Sequence, residues 1–239
     1  MLITTNAIVL SKLKYRDNDL IVKCYTQQLG VVSFLLRGVL KSKKGNTKVA
    51  YFQLLSQLQI GFLYKNNRSL QTIKDTKLNC IYRSLHSHVL KSAIVMFLSE
   101  VLTSTLQEEE QNETLFSYLE NTLLWLDSQS EYANFHLLFL LKLTKYLGFY
   151  PETTNIEYPF FDLSEGKFEL KSNNRYIVSS ENLALLKQLL GTTFDGLPNV
   201  KINAKQRQSF LSMMLLYFEL HLGSFKTPKS LQVFNQVFS

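Results

Sequence analysis

Near residue 80 the hydrophobic period of the chain changes, and this change limits the folds open to it more than any other feature. Before it, NAIVLSKLKY, LIVKCYT, VVSFLLRG, FQLLSQLQIGFLY and SLQTIKDTKL are five strand-like segments, divided by polar turns at 16–19, 27–30 and 66–67. In VVSFLLRG both alternating faces are largely apolar, as in a small barrel. Five short strands within 80 residues, with one long connection between the third and fourth, suit an OB-type or SH3-like barrel. From about residue 84 the period becomes 3.6: Leu85, Val89, Ala93, Phe97 (or Met96) and Val101 form one helical stripe. Further helices are expected at 114–126, 133–147, 181–190 and 204–222, with a last one at 228–238. Gly148 and Pro151 stop the one at 133–147. FFDLSEGKFEL reads as a hairpin turning at Ser164, Glu165 and Gly166. The expected fold is α+β and multi-domain. Residues 1–80 form a basic, five-stranded OB-type β-barrel, and residues 81–239 an all-α domain with a small β-hairpin insertion at about 152–178.

Charge is as unevenly distributed as periodicity. The chain has 239 residues and a formal net charge of +7. Residues 1–80 hold 13 Lys/Arg against three Asp/Glu, a net of +10, and the remainder has a net of −3. LLRGVLKSKKGNTKVAYFQLL, residues 35–55, concentrates the excess. It carries Arg37, Lys41, Lys43, Lys44 and Lys48, with no acidic residue from Arg37 to Lys48. A surface selected only for solubility intersperses both signs. An uncompensated run instead suits phosphates, because Lys and Arg release condensed counterions from a nucleic acid on binding. Bases can also stack on exposed aromatic rings. Tyr51 and Tyr64, flanked by basic or polar residues, are the expected stacking candidates. Tyr15, Tyr25, Phe34, Phe52 and Phe62 also lie in this region, most of them expected in the core.

Catalytic signatures are missing. No Walker-type loop occurs, and no G-x-G-x-x-G follows a strand. His86 and His88 are two apart on an expected helix, so they point in different directions. The triplet Glu108, Glu109 and Glu110 reads as a solvated loop. Cys24 and Cys80 lie in apolar surroundings without metal-type spacing, as in a reducing compartment. No secretory signal precedes the first strand, and no apolar run reaches the roughly 20 residues of a membrane helix. The expectation is a cytoplasmic protein without enzymatic activity, metal or cofactor. Three readings remain open: a DNA-binding mediator, an RNA-binding or ribosome-associated OB-fold adaptor, and a phosphodiesterase whose acidic residues meet only in three dimensions.

The run YRDNDLIVKCYTQQLGVVSFLLRGVLKSKKG resembles the opening of the RecO family, bacterial recombination mediators of DNA repair. The likeness continues through LYKNNRSLQTIKDTKL, KSAIVMFLSEVLTSTLQEEEQNETLFSYLENTLLWLD and ANFHLLFLLKLTKYLGFYP, in the same order. It implies an N-terminal OB fold and a helical domain. It also implies binding of single- and double-stranded DNA, annealing of complementary strands, and action with RecR in the RecF pathway. There RecA replaces single-strand-binding protein (SSB), whose C-terminal tail the helical domain receives. Nucleoid association follows from the same resemblance. The family's glycine-plus-basic-loop motif falls on Gly38, Lys41, Lys43 and Lys44, with Arg37 just before it. Lys142 and Lys145, on the helix leading to LGFYP, suit the acidic and aromatic tail. One departure stands out. Many members hold zinc with four cysteines after the LG…P motif, whereas residues 151–178 here contain neither Cys nor His. Phe160, Phe161 and Phe168 are expected to replace the metal by packing.

Overall fold

The computed structural model describes residues 1–41, 49–106 and 111–238. By packing, these fall into two compact units: Met1–Ser128 with Pro228–Ser230, and Gln129–Thr227 with Leu231–Ser239. The fold is α+β. Strands give way to helices near residue 80, while the first unit continues through two helices beyond that point.

The first unit is built on β1 (Leu2–Tyr15), β2 (Asp19–Thr26), β3 (Gly30–Leu36), β4 (Gln57–Leu63), β5 (Leu70–Gln71) and β6 (Ile73–Leu78). Their order in the sheet is β5-β3-β2-β1-β4-β6. The long β1 serves both halves. Its first part pairs with β4, from Leu2↔Leu63 to Ile8↔Gln57, and its second with β2, from Ala7↔Thr26 to Tyr15↔Asp19. A bulge between Val9 and Ser11 bends the strand where it changes partner.

The two outermost strands are one stretch of chain interrupted at Thr72. β5 pairs in parallel with β3, and β6 pairs antiparallel with β4. The last strand therefore touches both edges of the curled sheet and closes it as far as its pairing extends. Six strands appear where periodicity expects five, because one strand cannot keep the same neighbour while crossing between two edges.

Alternation fills the interior. Ile3, Ala7, Val9, Val22, Cys24, Val32, Phe34, Leu58, Ile60 and Phe62 make one buried cluster. Phe34 and Phe62 meet edge to face with centroids 5.0 Å apart, a geometry that adds about 0.5–1.5 kcal/mol to simple burial. Ile8 and Leu10 on the opposite face of β1 are buried too. Helix α1 (Val89–Thr105) covers them, and Thr103 Oγ1 donates to Leu10 O at 3.4 Å. Helix α2 (Glu113–Ser128) joins the same unit: Gln57 Nε2 donates to Glu120 O at 2.9 Å.

Two boundaries differ from the periodic reading. β4 begins at Gln57 rather than at Phe52, because Leu55 adopts φ 58° and its N–H donates to Val9 O at 2.7 Å. Helix α1 begins at Val89, after a turn that the Asp127 carboxylate anchors. That carboxylate accepts from the backbone N–H groups of Arg83, Ser84 and Leu85 at 2.8–2.9 Å. Burial pushes its pKa upward, but these bonds win and hold it below the usual carboxylate value.

The second unit packs around α3 (Phe135–Tyr146), in which every residue from Phe135 to Leu141 is buried. Gly148, at φ 85°, follows its end. Around it lie α4 (Ser180–Leu190), α5 (Ala204–His221) and α6 (Leu231–Val237). A capping box starts α5: Asn203 Oδ1 accepts from Gln206 N, and Gln206 Oε1 accepts from Asn203 N.

The insertion is a three-stranded sheet of order β8-β7-β9, made of β7 (Phe160–Asp162), β8 (Lys167–Glu169) and β9 (Ile177–Val178). An aromatic cluster holds it. Phe161 and Phe168 are buried with centroids 5.0 Å apart, while Phe160 is half-buried. Tyr217 Oη donates to Phe149 O at 2.7 Å, and the His221 ring stacks on Phe149 at 5.0 Å. Gly166 turns the hairpin at φ 69°, where an added Cβ would lie 2.8 Å from Tyr217 Oη.

Candidate nucleic-acid interface

At one end of the barrel two turns are joined by hydrogen bonds. The β1–β2 turn follows Tyr15 and the chain leaves β3 after Leu36. Asp19 Oδ1 accepts from Gly38 N at 2.7 Å, and Asn18 O accepts from Leu40 N at 3.1 Å. Gly38 sits at φ 65°, a conformation that favours glycine, so the motif glycine is needed for the turn itself. The Asp19 carboxylate is thereby occupied by backbone. Around it Arg16, Arg37 and Lys41 are exposed, as are Lys12 and Lys14 on the hairpin. The Arg16 guanidinium lies 5.2 Å from the Tyr15 ring centre.

Beside these turns the barrel wall gapes. The ladder between β3 and β5 ends at Phe34↔Gln71, and past that point the chain of β6 follows β4 instead. A cavity of about 660 Å³ lies at this seam; its lining includes Arg37, Tyr51, Phe52, Ile73, Lys74 and Asp75. Phe52 is buried and belongs to the barrel core, while Tyr51 and Ile73 are half-buried against it. Arg37 and Lys74 are exposed. The lining combines apolar residues with two exposed cations, one just after β3 and one from β6.

The residues expected from sequence divide as follows. Arg37 and Tyr51 share the cavity, and Lys41 is exposed in the adjoining turn, its N–H donating to Gly38 O at 3.2 Å. Lys43, Lys44 and Lys48 lie outside the described residues. Tyr64 is elsewhere: it is half-buried, its N–H donates to Met1 O at 2.9 Å, and its ring meets Phe62 at 6.3 Å. Tyr25, Phe34, Phe52 and Phe62 are core residues. Burial pushes the Tyr25 hydroxyl up to about 12, and it donates to Asn112 O at 3.2 Å.

Sequence reasoning passed over Arg16 and Lys74. Arg16 stands in a turn that looks balanced by Asp17 and Asp19, and only the Asp19–Gly38 bond reveals that one of these charges is engaged. Lys74 follows the strand break, which the alternation of SLQTIKDTKL does not reveal.

In the second unit, Lys142 Nζ donates to Leu190 O at 3.2 Å and to Tyr150 Oη at 3.4 Å. Burial lowers its pKa. It therefore ties α3 to the carboxyl end of α4, where carbonyl groups favour a cation. Lys145 is exposed on the last turn of α3. Among the described residues, no three His, Cys, Asp or Glu side chains gather as a metal site requires. No helix among them is long and apolar enough to cross a membrane.

Comparison with known proteins covers both units. Residues 1–81 match the family described as "Recombination protein O N terminal", and residues 86–231 match "Recombination protein O C terminal". The DNA repair protein RecO of Christiangramia forsetii is 49% identical over 238 residues, with 100% of both chains covered. That of Flavobacterium psychrophilum is 43% identical over 239 residues, and that of Bacteroides fragilis 36% over 243, again with full coverage.

Proposed function

The chain belongs to the RecO family of DNA repair proteins, and on that premise we infer that it is a DNA-binding recombination mediator without chemistry of its own. The observation that carries this reading is the basic end of the barrel, where Arg16, Arg37 and Lys41 are exposed around two hydrogen-bonded turns and Lys74 joins Arg37 in the lining of the cavity. Phosphates of single- or double-stranded DNA are neutralised there. Neutralisation also lowers the repulsion between two strands, so annealing of complements follows from the same charge. The barrel is the DNA module, and the helices of the second unit are the surface for protein partners. These are RecR and the C-terminal tail of SSB, for which Lys145 is exposed and Lys142 is held beside the end of α4. With RecR, the protein helps RecA replace SSB on gapped DNA, at the nucleoid.

Fluorescence polarisation with labelled oligonucleotides, followed by a two-strand annealing assay, tests this. Binding of single and double strands without cleavage in magnesium or manganese, together with faster annealing, is the expected result. A preference for RNA over DNA of equal length at matched salt would transfer the barrel to the adaptor reading instead. Cleavage would overturn the non-enzymatic reading. An SSB-tail peptide titrated alone tests the helical surface separately.

A further inference from the structure

Charge neutralisation needs only exposed cations, yet the seam between β3 and β6 holds a cavity of about 660 Å³. That is within the range of about 300–1,000 Å³ typical of sites that bury a small organic ligand. Its walls are of two kinds. Phe52, Ile73 and half-buried Tyr51 offer apolar and aromatic surface, while Arg37 and Lys74 are exposed cations belonging to the same lining. The strand edges on either side are not joined, because the β3–β5 ladder ends at Phe34↔Gln71. A flat ring carrying phosphates outside it fits this division of surface: the ring against Tyr51 and Ile73, the phosphates on Arg37 and Lys74.

The geometry points to a pocket for one unstacked nucleobase of a single strand, whose neighbouring phosphates lie on Arg37 and Lys74. The inference rests on the DNA-binding reading and adds to it a reason for recognising exposed bases. A base inside a duplex is stacked and paired, and its extrusion costs a few kcal/mol. A single strand, a gap or a frayed end supplies the base without that cost. Asp75 on the same lining is an acceptor suited to an exocyclic amino group.

A free mononucleotide has the same base-and-phosphate chemistry, so the test separates the two sources. Polarisation is measured with a short labelled single-stranded oligonucleotide and with a fully abasic oligomer of the same phosphate number. Stacking of one base predicts that the first binds more tightly by about 5- to 150-fold. Thr72→Trp, at an exposed position on the cavity lining and between β5 and β6, fills the pocket. It should abolish this difference while the abasic oligomer still binds, which also reports an intact barrel. Deoxycytidine monophosphate, whose exocyclic amino group Asp75 could accept from, should leave the signal unchanged at the oligonucleotide's own concentration. Equal binding of the two oligomers to the parent protein would overturn the pocket while leaving phosphate binding in place. Retention of the difference in Thr72→Trp, or displacement by the mononucleotide, would also overturn it. Failure of either oligomer to bind at low salt would instead defeat the DNA-binding reading from which the pocket follows.

Discussion

At the scale of single residues, His136 gives the clearest pH dependence. Its ring is fully buried between Phe234 and Phe238, with centroids 4.7 and 5.8 Å away. Burial lowers its pKa to about 3, and the Arg207 charge adds to the effect. The folded state therefore binds fewer protons than the unfolded chain, whose histidine titrates near 6.5. Stability present above that value is lost as pH falls from 6.5 toward 3. Between pH 6.5 and 5 the loss should be about 2 kcal/mol, read as a shift in urea midpoint, and His136→Phe should flatten it. Gly166 gives a steric counterpart. Gly166→Ala would hold alanine at φ 69° and crowd Tyr217 Oη, lowering stability by about 1–3 kcal/mol in a thermal melt. Lys142 and Lys145 separate by the same logic. Lys142→Ala removes an internal donor to Leu190 O and should lower the melting temperature. Lys145→Ala removes an exposed charge only and should leave it unchanged, so any loss of SSB-tail peptide binding by that variant reports the surface.

At the scale of elements, the joining of two turns is the feature on which the proposed interface depends. Asp19→Ala leaves Gly38 N without its acceptor at 2.7 Å, which should cost about 1–2 kcal/mol of stability. It should also weaken oligonucleotide binding, although it raises the positive charge of the surface. Tighter binding would mean that charge alone decides. The strands themselves were legible because their apolar residues alternate, and α3 because nearly all of its positions are apolar. What sequence could not reveal were effects of distant partners. The start of α1 depends on Asp127, more than 40 residues from the amides it receives. The start of β4 depends on the N–H of Leu55 meeting Val9 O. The break at Thr72 depends on a change of neighbour from β3 to β4. Of the residues proposed for the interface, Arg37, Lys41 and Tyr51 come from an uncompensated local run that the sequence displays. Arg16 and Lys74 come to it only through tertiary folding.

At the scale of the whole molecule, the division of charge between a net of +10 in residues 1–80 and −3 in the rest supports the proposal that the barrel is the part that binds a polyanion. The exposed cations at the basic end of the barrel are proposed to bind nucleic acid. The most direct measurement is the slope of log affinity against log salt for a single-stranded oligonucleotide, for the parent protein and for Arg37→Glu/Lys41→Glu/Lys74→Glu. Each lost phosphate contact should reduce the slope by about 0.7 on a single strand. The triple variant should therefore bind all sequences more weakly, with a slope flatter by about 2. The same affinity and the same slope in both proteins would contradict the account.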